Sequence, residues 1–238
     1  MDDGAALLEV RNLAKRYGDV EVLAGVDFDL APCEILGVIG PNGAGKTTLM
    51  ECLVGLLPAE DGEARLNGVA LPAERRREAM FYVPDGIAPW SDRSVWRVIG
   101  LFRELHRLEL EREVAVVTRL ELAPVLHKRV MELSKGYRQR LLLALGLLTP
   151  QPILILDEPF DGFDLRQTLQ VMNLLREVAN ERSLILSIHQ LKDAQRICDR
   201  LLLLDGGRRV GFGTLAELAA QAGTPDCDLE EVFLGLTR

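Results

Sequence analysis

The chain has 238 residues, 48% of them hydrophobic, and a formal net charge of -8. That length can bury one large core or a core with a subdomain, and the acidity argues against an unspecific nucleic-acid binder, which is ordinarily basic. Cys33, Cys52, Cys198 and Cys227 are scattered without a Cys-x-x-Cys pair and read as reduced structural thiols.

The opening MDDGAALLEV is acidic and lacks the basic-then-apolar pattern of a secretory leader. LLEVRNLAKRY alternates as a strand that ends on Tyr17, and VDFDLAPCEILGVIG reads as two strands around a turn at Pro32. Residues 40–48, GPNGAGKTT, then fit G-x-x-x-x-G-K-[ST], between the strand ILGVIG and a segment with helical apolar spacing, TTLMECLVGLL. Gly40, Gly43 and Gly45 let the backbone turn tightly and aim N–H groups at phosphate oxygens, and the helix start adds its positive dipole end. Lys46 can reach the β- and γ-phosphates and the Thr47 hydroxyl can ligate Mg²⁺. The whole loop, with Pro41, Asn42, Ala44 and Thr48, is the candidate nucleotide-binding segment. No Asn is followed by Lys, so the guanine-reading motif of a GTPase is absent.

Pro58, Asp61–Gly62 and Asn67–Gly68 are turn signals, and the charge run ERRRE at residues 74–78 reads as a solvated segment. Over residues 87–149 strand-like runs give way to charged amphipathic helices. The longest apolar run of the chain, LLLALGLL, lies at the end of this stretch, and its eight residues fall far short of the roughly 20 needed to cross a bilayer. A membrane role is therefore expected to come only through a partner chain. Short, fully apolar runs then return in ILILDEP, SLILSIH and RLLLLDGG, as buried parallel strands do. The expected fold is α/β, a single domain over residues 1–238. Its nucleotide-binding core takes residues 1–86 and 150–238, and a helical subdomain takes residues 87–149.

A buried strand that ends in carboxylates is where a nucleotide sits in an open α/β sheet. Asp157 can hold Mg²⁺ through water, Glu158 can orient and polarise the attacking water, and His189, at the end of another strand on the same edge, can donate to the γ-phosphate.

With these motifs in this order, the chain resembles the ATP-binding subunit of an ABC transporter, from Leu8 to Thr237. Residues 133–141, LSKGYRQRL, are similar to the family signature just upstream of the second acidic motif, and residues 160–164, FDGFD, to the loop that follows it. The resemblance implies a P-loop core with a mostly parallel sheet, an N-terminal antiparallel β subdomain and an inserted helical subdomain. It also implies that Tyr17 stacks on adenine. ATP and Mg²⁺ are the implied cofactors, with Asp85, Thr47 and Asp157 around the metal. The implied partners are a second ATPase subunit, whose ATP is completed by Ser134 and Gly136 of this one, and a separate transmembrane permease that holds the chain on the cytoplasmic face of the membrane. The ending DLEEVFLGLTR is similar to the drug, antibiotic and polysaccharide exporter branch; it also reads simply as an amphipathic helix. The alternative function is a soluble ABC ATPase that acts as a mechanical switch, a class that ordinarily carries coiled-coil insertions or two fused ATPase domains.

The chain departs from the family pattern in three places. Asp85 stands where Gln is usual, Lys135 and Tyr137 replace Gly and Gln in the signature, and Cys33 replaces Gly before Glu34. Lys135, Arg138 and Arg140 either add positive charge for a phosphate or pair with nearby acids. Trp90 either lines the socket for the permease or belongs to the core of the helical region. Ser134 can cap the helix that follows it.

Overall fold

The computed structural model describes residues 6–224 and 227–237. Residues 1–5, on which the leader reading partly rests, and Arg238 of the terminal segment lie outside them. β1 (Leu8–Tyr17) buries Leu8, Val10 and Leu13 and pairs antiparallel with β2 (Val20–Leu30), which buries Leu23, Val26, Phe28 and Leu30. Beyond Pro32 the Glu34 carboxylate accepts the Ala31 N–H at 2.5 Å and closes the turn into β3 (Ile35–Ile39). Cys33, at the apex of that turn, is held at φ 58°, the left-handed region in which Gly is the unstrained residue.

After α1 (Lys46–Leu53) the chain returns as β4 (Asp61–Leu66) beside β1, and β5 (Val69–Ala70) completes an antiparallel sheet ordered β2-β1-β4-β5. Asn67 and Gly68, at φ 50° and 75°, form the two-residue hairpin turn the sequence signals. Asp61–Gly62 is not a turn: it opens β4 against a bulge between Arg11 and Ala14 of β1. A Cβ on Gly62 would lie 2.6 Å from Leu13 Cα, so the glycine there serves a close backbone approach. The charge run is also corrected, since α2 (Arg76–Ala79) begins inside it and Arg76 is buried. Its guanidinium donates to the carbonyls of Cys52 at 2.8 Å and Leu71 at 3.3 Å.

The second sheet holds β6 (Met80–Val83), β7 (Ile153–Leu156), β8 (Ser183–Ser187), β9 (Arg200–Asp205) and β10 (Arg208–Gly213), in the order β10-β9-β3-β8-β7-β6. All neighbours run parallel except β10, which closes one edge antiparallel. The apolar strands are two-sided. Leu36, Val38, Ile153, Ile155, Ile185 and Leu202 pack toward α1 and the antiparallel sheet. Ile35, Ile39, Leu154, Leu156, Leu184 and Leu201 pack into a second core with the helices of the opposite face.

Between β6 and β7 stand α3 (Val95–Leu105), α4 (Leu110–Arg119) and α5 (Lys135–Leu147), with no strand among the described residues. α3 turns Val95, Val98, Ile99 and Phe102 inward, and nine consecutive residues of α5, from Gln139 to Leu147, are buried. Both ends of α5 are closed. Ser134 Oγ accepts the Tyr137 N–H at 3.4 Å. At the far end, Arg182 donates to the Thr149 and Gly146 carbonyls, and Arg112 to that of Leu147. α6 (Leu165–Ala179), α7 (Leu191–Ile197), α8 (Leu215–Ala222) and α9 (Leu229–Leu236) complete the layer, and α9 buries Leu229 and Val232.

Candidate nucleotide site

The phosphate loop is held open by two neighbours. A Cβ on Gly40 would lie 2.9 Å from the Ala44 Cβ and would collide with the Leu204 carbonyl of β9. Gly45, at φ 99°, passes so close to β2 that a Cβ would sit 2.8 Å from the Val22 carbonyl. Pro41, Asn42 and Gly43 are exposed at the loop tip, Ala44 is buried and donates its N–H to the Pro41 carbonyl at 3.1 Å, and Thr48 lies in the first turn of α1. Lys46 folds back across the loop and donates to the Gly40 and Pro41 carbonyls at 2.7 and 3.2 Å. Its burial lowers its pKa, while the Glu158 and Asp157 charges act the other way.

The second half of the site sits at the ends of β7 and β8. Asp157, buried, accepts from Thr47 Oγ1 at 3.1 Å and from Tyr82 Oη at 3.1 Å, both on Oδ2, and from Ser187 Oγ on Oδ1. Glu158 follows at φ 49°, left-handed for a non-glycine residue, and this turn sends its side chain into the same cavity. Its Oε1 lies 3.0 Å from His189 Nε2. Burial, reinforced by Asp157, pushes the Glu158 carboxyl up to about 7. Asp85, at the rim of the cavity, is also raised, by burial and then by Asp161.

One cavity thus gathers Asn42, Gly43, Gly45, Lys46, Thr47, Thr48, Asp85, Asp157, Glu158 and His189. Tyr17 stands at the end of β1, half exposed, and is not among the lining residues; Lys15 Nζ lies 5.3 Å from its ring centre. Ser134 and Gly136, at the start of α5, are likewise outside this cavity. Of the basic residues beside them, Lys135 pairs with Asp161 at 2.5 Å and Arg140 with Glu121. Trp90 meets Phe102 edge-on at 6.1 Å and leaves half of its surface open, beside Trp96 and Leu101. Sequence reasoning missed Tyr82, Ser187 and Gln139, whose amide donates to the Glu158 carbonyl at 3.1 Å. The signal for Ser187 was a polar residue at the end of the buried run Leu184–Leu186, two positions before His189.

A strand-loop-helix phosphate cradle after β3, with an Asp-Glu pair at the end of the parallel strand β7, one strand beyond β8, defines a P-loop nucleotide hydrolase. Residues 23–161 match the family model described as "ABC transporter". The chain is 32% identical over 217 residues to an uncharacterized ABC transporter ATP-binding protein of Methanocaldococcus jannaschii, covering 89% of this chain and 79% of that one. Against the Nod factor export ATP-binding protein I of Cupriavidus pinatubonensis it is 34% identical over 241 residues, covering 96% and 72%. The solved structure of an ATP-binding subunit of an ABC transporter superposes with a TM-score of 0.89 at 29% identity, over 98% of this chain and all of that one. The chain belongs to the ABC transporter family, as an ATP-binding and ATP-hydrolysing subunit. Among its described residues no helix is long and apolar enough to cross a membrane.

Proposed function

We propose that this subunit drives export, working as one of two ATPase subunits beneath a separate transmembrane permease on the cytoplasmic face of the membrane. The export-type name of its relatives supports the direction. The absence of a spanning helix among the described residues supports membrane contact through a partner. Trp90 and Trp96, half exposed beside Leu101, are the docking face for that partner.

In the cis half of the site, the N–H groups of the loop and Lys46 receive the β- and γ-phosphates, and Tyr17 stacks on the adenine. The donor set suits Mg²⁺: a Thr47 hydroxyl and an Asp157 carboxylate oxygen stand 3.1 Å apart, with Asp85 at the rim. Among the described residues no group of three or more His, Cys, Asp or Glu forms a protein cage, and Mg²⁺ ordinarily takes few protein ligands, filling its shell with phosphate and water. When bound, the ion neutralises the charge of the phosphates. Glu158 takes the proton of the attacking water as its oxygen bonds to the γ-phosphorus and the bond to the β-phosphate oxygen breaks, releasing ADP. His189 holds the Glu158 carboxylate on one side and faces the γ-phosphate on the other. Ser134 and Gly136, at the positive end of α5, receive the γ-phosphate of the ATP held by the second subunit.

The observation that carries this reading is Glu158 itself: a partly buried carboxyl pushed up to about 7, 3.0 Å from His189 and inside the phosphate cavity. Glu158→Gln retains ATP and loses turnover, so on size-exclusion chromatography it runs as a dimer in ATP where the wild type dissociates. Hydrolysis at the wild-type rate would remove Glu158 from the role.

A further inference from the structure

Three adjacent parallel strands, β6, β7 and β8, each turn one face toward α1. Met80, Ile153, Ile155 and Ile185 fill that face with apolar side chains, and Tyr82 packs against the same core. In register, Tyr82 lies beside Ile155 and Ile155 beside Ile185, so Asp157 and Ser187 are each the next residue along on that same face. The row ends in a polar cluster. Tyr82 Oη donates to Asp157 Oδ2 at 3.1 Å from one side. From the other, Ser187 Oγ donates to Asp157 Oδ1 and accepts the Glu158 N–H at 2.9 Å. The backbone adds a further tie, since the Asp157 N–H donates to the Val83 carbonyl at 2.9 Å.

The geometry points to Tyr82 and Ser187 as positioning residues that clamp the Asp157 carboxylate, one hydroxyl on each oxygen, so that it meets the metal in a single orientation. The inference deepens the function proposed above and rests on Asp157 being the metal carboxylate. Thr47 and Tyr82 share Oδ2. When the Thr47 hydroxyl turns its lone pair to a cation, Tyr82 is the donor that still holds this oxygen. Ser187 has a second consequence. One hydroxyl holds both the Asp157 side chain and the Glu158 backbone, so it sets the spacing between the metal carboxylate and the residue that activates water. Carboxylates that ligate metals are themselves held by hydrogen bonds, and loss of such a partner weakens metal affinity by about 10- to 100-fold.

The test measures binding without turnover. A fluorescent ATP analogue is titrated into Glu158→Gln protein with and without Mg²⁺, and the Mg²⁺ concentration that half-saturates the Mg²⁺-dependent gain in affinity is read. Added Tyr82→Phe, which removes only the hydroxyl, raises that concentration about tenfold or more and leaves Mg²⁺-free binding unchanged. Ser187→Ala does the same, and Ser187→Thr restores the original value. Far-UV circular dichroism and thermal unfolding confirm that each variant is folded. If folded Tyr82→Phe and Ser187→Ala keep the original Mg²⁺ half-saturation while Asp157→Asn abolishes the Mg²⁺-dependent gain, the clamp is overturned and the metal assignment stands. If Asp157→Asn also leaves the gain intact, the metal assignment itself fails.

Discussion

Glu158→Gln stabilises the nucleotide-free protein, and by an amount that grows with pH. The Glu158 carboxyl has an ordinary value of 4.5 and is pushed to about 7 by burial and by Asp157. The unfolded chain therefore releases this proton near pH 4.5, whereas the folded protein keeps it until pH approaches 7. Between those values the folded state binds more protons, so wild-type stability falls as pH rises through this window and levels off above it. One pKa unit corresponds to about 1.4 kcal/mol. The gap sets a ceiling of about 3 kcal/mol, which partial solvent access to the side chain reduces to about 1–2 kcal/mol. Glutamine has nothing to ionise. Urea unfolding at pH 5 and pH 8, without nucleotide or Mg²⁺, should show a difference between variant and wild type that is larger at pH 8 by that amount, or roughly 2–8 °C in melting temperature. An equal difference at both pH values would refute the reasoning.

Three further substitutions separate backbone, burial and docking. Cys33→Gly relieves a left-handed residue worth about 1–2 kcal/mol against a glycine entropy of about 0.5–1 kcal/mol, so chemical denaturation should show a small gain in stability. Arg76→Ala removes the guanidinium donor from the Leu71 carbonyl and leaves the Cys52 carbonyl with the Gly55 N–H alone, and costs about 1–3 kcal/mol by the same measurement. Trp90→Ala leaves ATP binding by the isolated subunit unchanged and reduces co-purification with the permease; undiminished co-purification and transport would remove Trp90 from the docking face.

Much of the fold was legible because its signals are local. The phosphate loop needs glycine at fixed offsets between a strand and a helix, and uninterrupted apolar runs of three or four residues identify β7, β8 and β9. What stayed hidden depends on residues distant in sequence. Asp61–Gly62 has turn composition, yet its glycine answers a bulge about fifty residues earlier in β1. Arg76 looks like one charge among five until α1 supplies the Cys52 carbonyl that draws it inside. The left-handed Glu158 and the hydroxyls of Tyr82 and Ser187 are set by the convergence of three strands, and no spacing along the chain encodes that.

The two-sided strands make the position of each acid a matter of parity. In β7, Ile153 and Ile155 face α1, and Asp157 continues the odd count to meet Thr47. The even residues Leu154 and Leu156 face the other core. A one-residue deletion in β7 would leave composition and hydropathy almost untouched and still bring Glu158, the wrong carboxylate, to Thr47, and a one-residue insertion would bring Leu156 there. The strand acts as a reading frame for the chemistry: insertions of one residue are lethal to the site even where the sheet can absorb them, and only an even shift keeps aspartate and glutamate on their own sides.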